Sequence, residues 1–171
     1  MKLKFLFYRL FQKKNFSKIN IFSFFSIIFV FTIDRLTKYK IIENQLNNGS
    51  IFINDYLNFE LIWNSGIGFG LLNLEANLAY HLISLLIFAV IMIIFVFMIK
   101  SEKYESFYFS LILGGASGNF YDRITYFSVP DFIDFHINNY HWFTFNVADI
   151  FISVGIILII IKEIVLKNEK N

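Results

Sequence analysis

The chain has 171 residues, of which 57% are hydrophobic and only 16% charged, against about 45–50% and about 25% in an average soluble domain. This skew predicts a membrane protein, and a net charge of +2 is too balanced for a nucleic-acid binder. The absence of Cys removes disulfides, thiolate nucleophiles and thiolate metal sites together.

Met1 to Asn20 carries Lys2, Lys4, Arg9, Lys13, Lys14 and Lys18 and no acid. The apolar run that follows, Ile19 to Ile33, has the length of a signal-peptide core. It ends in DRLTKYK rather than in a small-residue cleavage site, so it reads as an uncleaved first span, about residues 19–38. The positive-inside rule holds its basic tail in the cytoplasm. Residues of about 44–75 differ in texture: IFINDYLNFELIWNSGIGFGLL mixes aromatic and polar residues, with Gly66, Gly68 and Gly70 at every second position. This predicts short strands outside the lipid.

Further spans are expected over about 78–99, 104–123 and 145–165. In the third, Gly114 and Gly118 form a small-xxx-small pair that admits a close neighbour. After Arg123 no Lys or Arg occurs until Lys162, which places that region on the non-cytoplasmic side. The expected fold is therefore an all-α membrane protein, a single domain of four transmembrane helices with a small extracytoplasmic β element and both termini cytoplasmic. In that topology Asp34, Asn64, Asn119, Arg123, Asp131, Asn146 and Asp149 all fall at one membrane face.

Asp149 opens the last span, three residues after Asn146, so the two share the first turn of a helix. An acid at the mouth of a membrane helix is costly to place and marks a candidate site. Asp131 lies a short loop upstream. Two carboxylates held close retain one proton between them, so that one can activate water while the other polarises a carbonyl. Taken singly, Asp149 also reads as an acid favoured by the helix dipole, and Asp131 as a turn residue after Pro130.

Asn119, Asp122 and Arg123 stand at i, i+3 and i+4. Arg123 offers a fork of donors for a carboxylate or a substrate carbonyl, or else closes an interfacial ion pair. Asp34 and Lys38, at i and i+4, read as structural. Asn64 reads as an oxyanion donor or as a turn former. His81, His136 and His141 show no metal-ligand spacing and read as interfacial hydrogen-bonding groups. Ser65, Ser117 and Ser128 lack the neighbours of a serine hydrolase. A transporter or channel with an Asp/Arg-lined path and a purely structural membrane subunit are the competing readings.

The motifs DRLTK, WNSGIGFG, GGASGNFYDR, VPDF and FNVAD resemble, in order and spacing, those of lipoprotein signal peptidase (signal peptidase II), from about Thr32 to Val154. The resemblance implies an aspartic protease of the bacterial cytoplasmic (inner) membrane with an extracytoplasmic active site. Its substrate would be a diacylglyceryl-modified prolipoprotein, cut just before the lipidated Cys. The family's catalytic pair falls on Asp131 and Asp149. Its supporting residues fall on Asn64, Asn119, Arg123, Asn146, Asp34 and Lys38. No metal or organic cofactor is implied, and the partners are the prolipoprotein and membrane lipids, with no nucleic acid and no obligate protein partner. Two departures, Gly68 in the IGF segment and Thr144 before FNVAD, bear on loop geometry and leave the acids untouched.

Overall fold

The computed structural model describes residues 21–66, 78–138 and 140–168. The basic tail, Gly68, Gly70 and the end of the expected β region lie outside them. Four helices, α1 (Ile21–Asn48), α2 (Leu78–Lys100), α3 (Lys103–Tyr126) and α4 (Val147–Asn168), accompany four strands, β1 (Ile51–Asn54), β2 (Leu57–Asn64), β3 (Val129–Ile137) and β4 (Tyr140–Phe145). The strands form one antiparallel sheet in the order β1-β2-β3-β4.

Helix α3 is the hub of the bundle, packing against α1, α2 and α4. Its glycines explain how. A Cβ on Gly114 would come within 2.7 Å of Val30 Cβ, and one on Gly118 would collide with the Asp34 carboxylate. Both contacts are with α1, as the small-xxx-small spacing predicts. On the other side, a Cβ on Gly115 would meet Ala148 O at 2.5 Å, so α4 approaches α3 backbone to backbone.

The bundle buries charged and polar side chains beside its apolar core and leaves many apolar side chains on its outside. Asp34, Lys38, Asp122 and Asn146 are each no more than 1% exposed. Leu82, Leu85, Leu86 and Ile93 on α2, Ile156, Ile157 and Ile160 on α4, and Phe24, Phe25 and Phe29 on α1 are exposed. Water would penalise so much bare apolar surface, whereas hydrocarbon favours it. Among the described residues, only Tyr80–Lys100 in α2 is by length and composition alone long and apolar enough to cross a membrane. The other helices carry charges along their length, such as Arg35 and Glu43 in α1.

Two expectations are corrected. The first helix continues ten residues beyond Lys38, to Asn48, so residues 44–48 are helical rather than part of the β region. This extension is anchored by Gln45, whose Nε2 donates to Phe59 O (2.9 Å) and whose Oε1 accepts from Leu61 N (2.8 Å). The β2–β3 register shifts between Phe59 and Ile62, and the Gln45 amide satisfies backbone groups that the irregular ladder leaves over.

The second correction concerns Asp131, which is not in a loop. It lies in β3 opposite Ile62, in a hairpin with β4 that doubles the expected sheet. The turn into β3 is made by Phe127 at φ 56°. That left-handed conformation is usually left to Gly, and here Phe127 is braced against the rings of Tyr80 and His81.

Candidate active site

Helix α4 begins with a reciprocal cap. Asn146 Oδ1 accepts from Asp149 N and Asp149 Oδ2 accepts from Asn146 N, both at 3.1 Å, in the manner of a capping box. Asp34 Oδ1 accepts from Ala148 N, also at 3.1 Å. At this helix start Asn146 N thus ends on Asp149 within α4, Ala148 N on Asp34 of α1, and Asp149 N on the Asn146 amide. The same Asn146 donates through Nδ2 to Asp131 Oδ1 at 2.6 Å. One asparagine therefore touches both candidate acids, bringing β3 and α4 together.

Each acid is held by amides rather than by cations. Asp131 accepts from Asn64 Nδ2 (2.8 Å) as well as from Asn146, and Asp149 Oδ1 accepts from Asn119 Nδ2 (2.8 Å). Each asparagine is turned the right way by a bond at its other end. Asn64 Oδ1 accepts from Gly66 N (3.0 Å), Asn119 Oδ1 from Lys38 Nζ (2.7 Å), and Asn146 Oδ1 from Asp149 N. A cation bonded to either acid would lock it in the ionised form, whereas a neutral amide leaves it free to hold a proton. Burial pushes the Asp131 carboxyl up to about 6; the Asn64 amide opposes this, and the charge of Asp149 adds to it.

Behind the asparagines lies a buried ionic network. Lys38 spends its three donors on Asp34 Oδ2 (2.9 Å), Asp122 Oδ2 (2.8 Å) and Asn119 Oδ1. Arg35 Nη2 reaches Asp122 Oδ2 at 2.8 Å and Asp34 Oδ2 at 3.1 Å. Asp34 and Lys38 thus pair as their spacing predicts. Arg35 and Asp122, which reading by helical spacing did not single out as a pair, complete the set; their presence in DRLTK and in NFYDR was the available signal.

The Asp122–Arg123 ion pair is not formed. Arg123 instead donates through Nη2 to Gly66 O, beneath the ring of Tyr80, while its Nη1 is buried without a hydrogen-bond partner. The structure therefore brings Asn64, Asn119, Asp131, Asn146 and Asp149 into one hydrogen-bonded set, with Asp34 and Lys38 behind it and Arg123 tied to the backbone after Asn64. His136 and His141 meet at Asp134 on the β3–β4 hairpin.

A cavity of about 540 Å³ opens beside Asp149, lined by Phe143, Phe145, Asp149, Ile150, Ser153 and Val154. Its walls are almost wholly apolar, with Asp149 the one charged lining residue. It runs from the end of β4 along the outward face of α4, where Val154 is exposed.

A helical membrane bundle with a mostly apolar groove leading to paired, amide-held carboxylates has the form of a membrane-embedded aspartic peptidase. The family described as signal peptidase (SPase) II matches residues 26–165. A lipoprotein signal peptidase of Pelagibacter ubique is 44% identical over 161 residues, spanning 91% of this chain and 97% of that protein. One from Francisella tularensis subsp. novicida is 36% identical, over 85% and 93% of the two chains. A bacterial membrane enzyme structure determined by the in meso method at 2.3 Å resolution matches with a TM-score of 0.74 at 30% identity, covering 89% of this chain and 93% of its own. The chain belongs to the signal peptidase II family, and it is an integral membrane aspartic peptidase.

Proposed function

We propose that this enzyme cleaves diacylglyceryl-modified prolipoproteins just before the lipidated Cys, with Asp131 and Asp149 as the catalytic pair. The single observation that carries this reading is Asn146, bonded at once to both acids. All four helices span the bacterial cytoplasmic membrane, the termini are cytoplasmic and the acids lie at the outer face. Acyl chains arrive through the bilayer plane beside the apolar groove along α4, and the scissile bond sits at headgroup depth, within reach of water. Trp63, Tyr140 and Trp142, all exposed on the sheet, sit at that interface. A transporter path along the bundle is disfavoured, because Lys38, Asp34 and Asp122 neutralise one another in closed hydrogen bonds.

In the chemical step Asp149 takes a proton from water as the oxygen attacks the scissile carbonyl, and Asp131 gives its proton to the carbonyl oxygen. The resulting gem-diol collapses: Asp149 passes its proton to the departing nitrogen, and Asp131 regains one from a diol hydroxyl. Arg123 Nη1, the buried unspent donor, holds a backbone carbonyl of the substrate. Asn64, Asn119 and Asn146 keep the two acids in position.

This assignment has a pH signature. Since burial pushes Asp131 up to about 6, kcat/KM on a lipidated prolipopeptide in micelles is expected to fall as pH rises through that value. A rise instead would exchange the roles of the acids, and a flat profile from acid to neutral would remove Asp131 from the chemistry. Folding stability carries the same sign. The folded state holds this proton more tightly than the unfolded chain, so the contribution is complete below about pH 4 and lost as pH rises through about 6. Melting curves of the wild type should show that slope, and Asp131→Asn should flatten it.

A further inference from the structure

The β3–β4 hairpin carries a second cluster of titratable side chains that the hydrolytic chemistry does not use. Asp134 and His136 are two apart on β3 and share a face, and His141 stands opposite His136 on β4. His141 Nδ1 lies 2.8 Å from Asp134 Oδ2 and His136 Nδ1 3.3 Å from the same oxygen. The two imidazoles stack with centroids 5.2 Å apart. Ligand-type atoms of all three residues fall within 4.8 Å of one another. Asp134 and His136 are buried and His141 is exposed.

Several polar atoms here are unspent. Asp134 Oδ1 and His136 Nδ1 are buried without hydrogen-bond partners, and so is Oδ1 of Asn58, the residue opposite Asp134 on β2. Each such orphan costs about 1–3 kcal/mol, and cross-strand pairing puts all three on one face of the sheet. A His141–Asp134 hydrogen bond satisfies one carboxylate oxygen and leaves these atoms as they are. A cation would accept electron pairs from the carboxylate and both imidazoles at once.

We propose that Asp134, His136 and His141 bind a divalent transition-metal ion, with Zn²⁺ the best match and with Asn58 Oδ1 or water as fourth ligand. Two imidazole nitrogens and a carboxylate oxygen are ligands that Zn²⁺ favours over Ca²⁺ or Mg²⁺. Bonds of about 2.0–2.1 Å set tetrahedral ligand atoms roughly 3.3 Å apart, near the separations seen here. The ion is structural. Asp134 is three residues from Asp131 on β3, so the two side chains point to opposite faces, about 10 Å apart along the strand. Bound metal fastens β4 to β3, and β4 leads directly into Asn146, which joins the two acids.

The test uses the full chain in detergent micelles, carried on a tag without histidine and stripped by dialysis against a chelator. ZnCl₂ is titrated by calorimetry, and CoCl₂ by visible absorption. Expected are uptake of a single ion per chain, the intense Co²⁺ bands of tetrahedral coordination, and a higher melting temperature with metal. His141→Ala, at an exposed position, should weaken binding by on the order of 100-fold or more, and Asp134→Asn should abolish the Co²⁺ bands. The metal-stripped wild type should still cleave prolipoprotein, which separates this site from the hydrolytic one and shows that the stripped protein is folded. Zn²⁺ uptake that is equal in the wild type and His141→Ala, or no saturable uptake by the wild type, would overturn the proposal.

Discussion

Asp131→Asn and Asp149→Asn are each expected to cut prolipoprotein cleavage by on the order of 10³-fold or more, with membrane insertion unchanged. The substitutions keep size and shape and remove the capacity to exchange a proton. An Asn at 149 can still accept from Asn146 N, so the cap on α4 survives, while its NH₂ is set against the Asn119 donor. An Asn at 131 sets its own NH₂ against one of two amide donors, since both oxygens of Asp131 accept from asparagine side chains. That mismatch costs about 1–3 kcal/mol, too little to unfold the bundle. The measurement is the cleavage rate of a lipidated prolipoprotein by each purified variant, alongside its melting temperature. A single Asn variant with near wild-type turnover would refute the two-acid mechanism.

Lys38→Met is expected to be the most destabilising single change in the described bundle. Lys38 is 1% exposed and all three of its protons are bonded. Its removal leaves Asp34 and Asp122 buried with only Arg35 to share. Breaking a buried charge set in this way costs about 3–5 kcal/mol, or roughly 6–20 °C in Tm for a chain of this size. Activity should fall as well, because Asn119 loses the bond that turns its NH₂ toward Asp149. Lys40→Met, two residues on and exposed, should change stability by no more than about 0.5 kcal/mol. Thermal melts of both variants in the same detergent decide the matter; equal melting temperatures would mean that the network contributes nothing.

Part of the site was legible in the chain because its signals are local. FNVAD places Asn146 and Asp149 one helical turn apart, and the cap they form needs no other element. DRLTK likewise places Asp34 and Lys38 in pairing distance on any helix. The β3–β4 hairpin is weaker in the sequence: IDFHI alternates in the manner of a strand, but Trp142 and Phe143 interrupt that alternation in YHWFTF. The VPDF motif drew attention to a turn after Pro130, whereas β3 is fixed by pairing with β2, which lies beyond two intervening helices. The meeting of His136 and His141 has no local signature for the same reason, since they come together only once the strands fold back at Asn138.

Taken alone, the amino-acid order determined the membrane character and the close packing at Gly114 and Gly118, and it pointed to the two acids proposed as the catalytic pair. Hydropathy and helical spacing are sums over neighbouring residues, so they survive without coordinates. Only the tertiary structure decided that Asp122 answers Lys38 and Arg35 rather than Arg123, that Arg123 holds the backbone after Asn64, and which amide faces which carboxylate oxygen. Those choices are hydrogen bonds between residues as many as 87 positions apart. A bond effective only within about 3 Å is settled by how the elements dock, which no local pattern encodes.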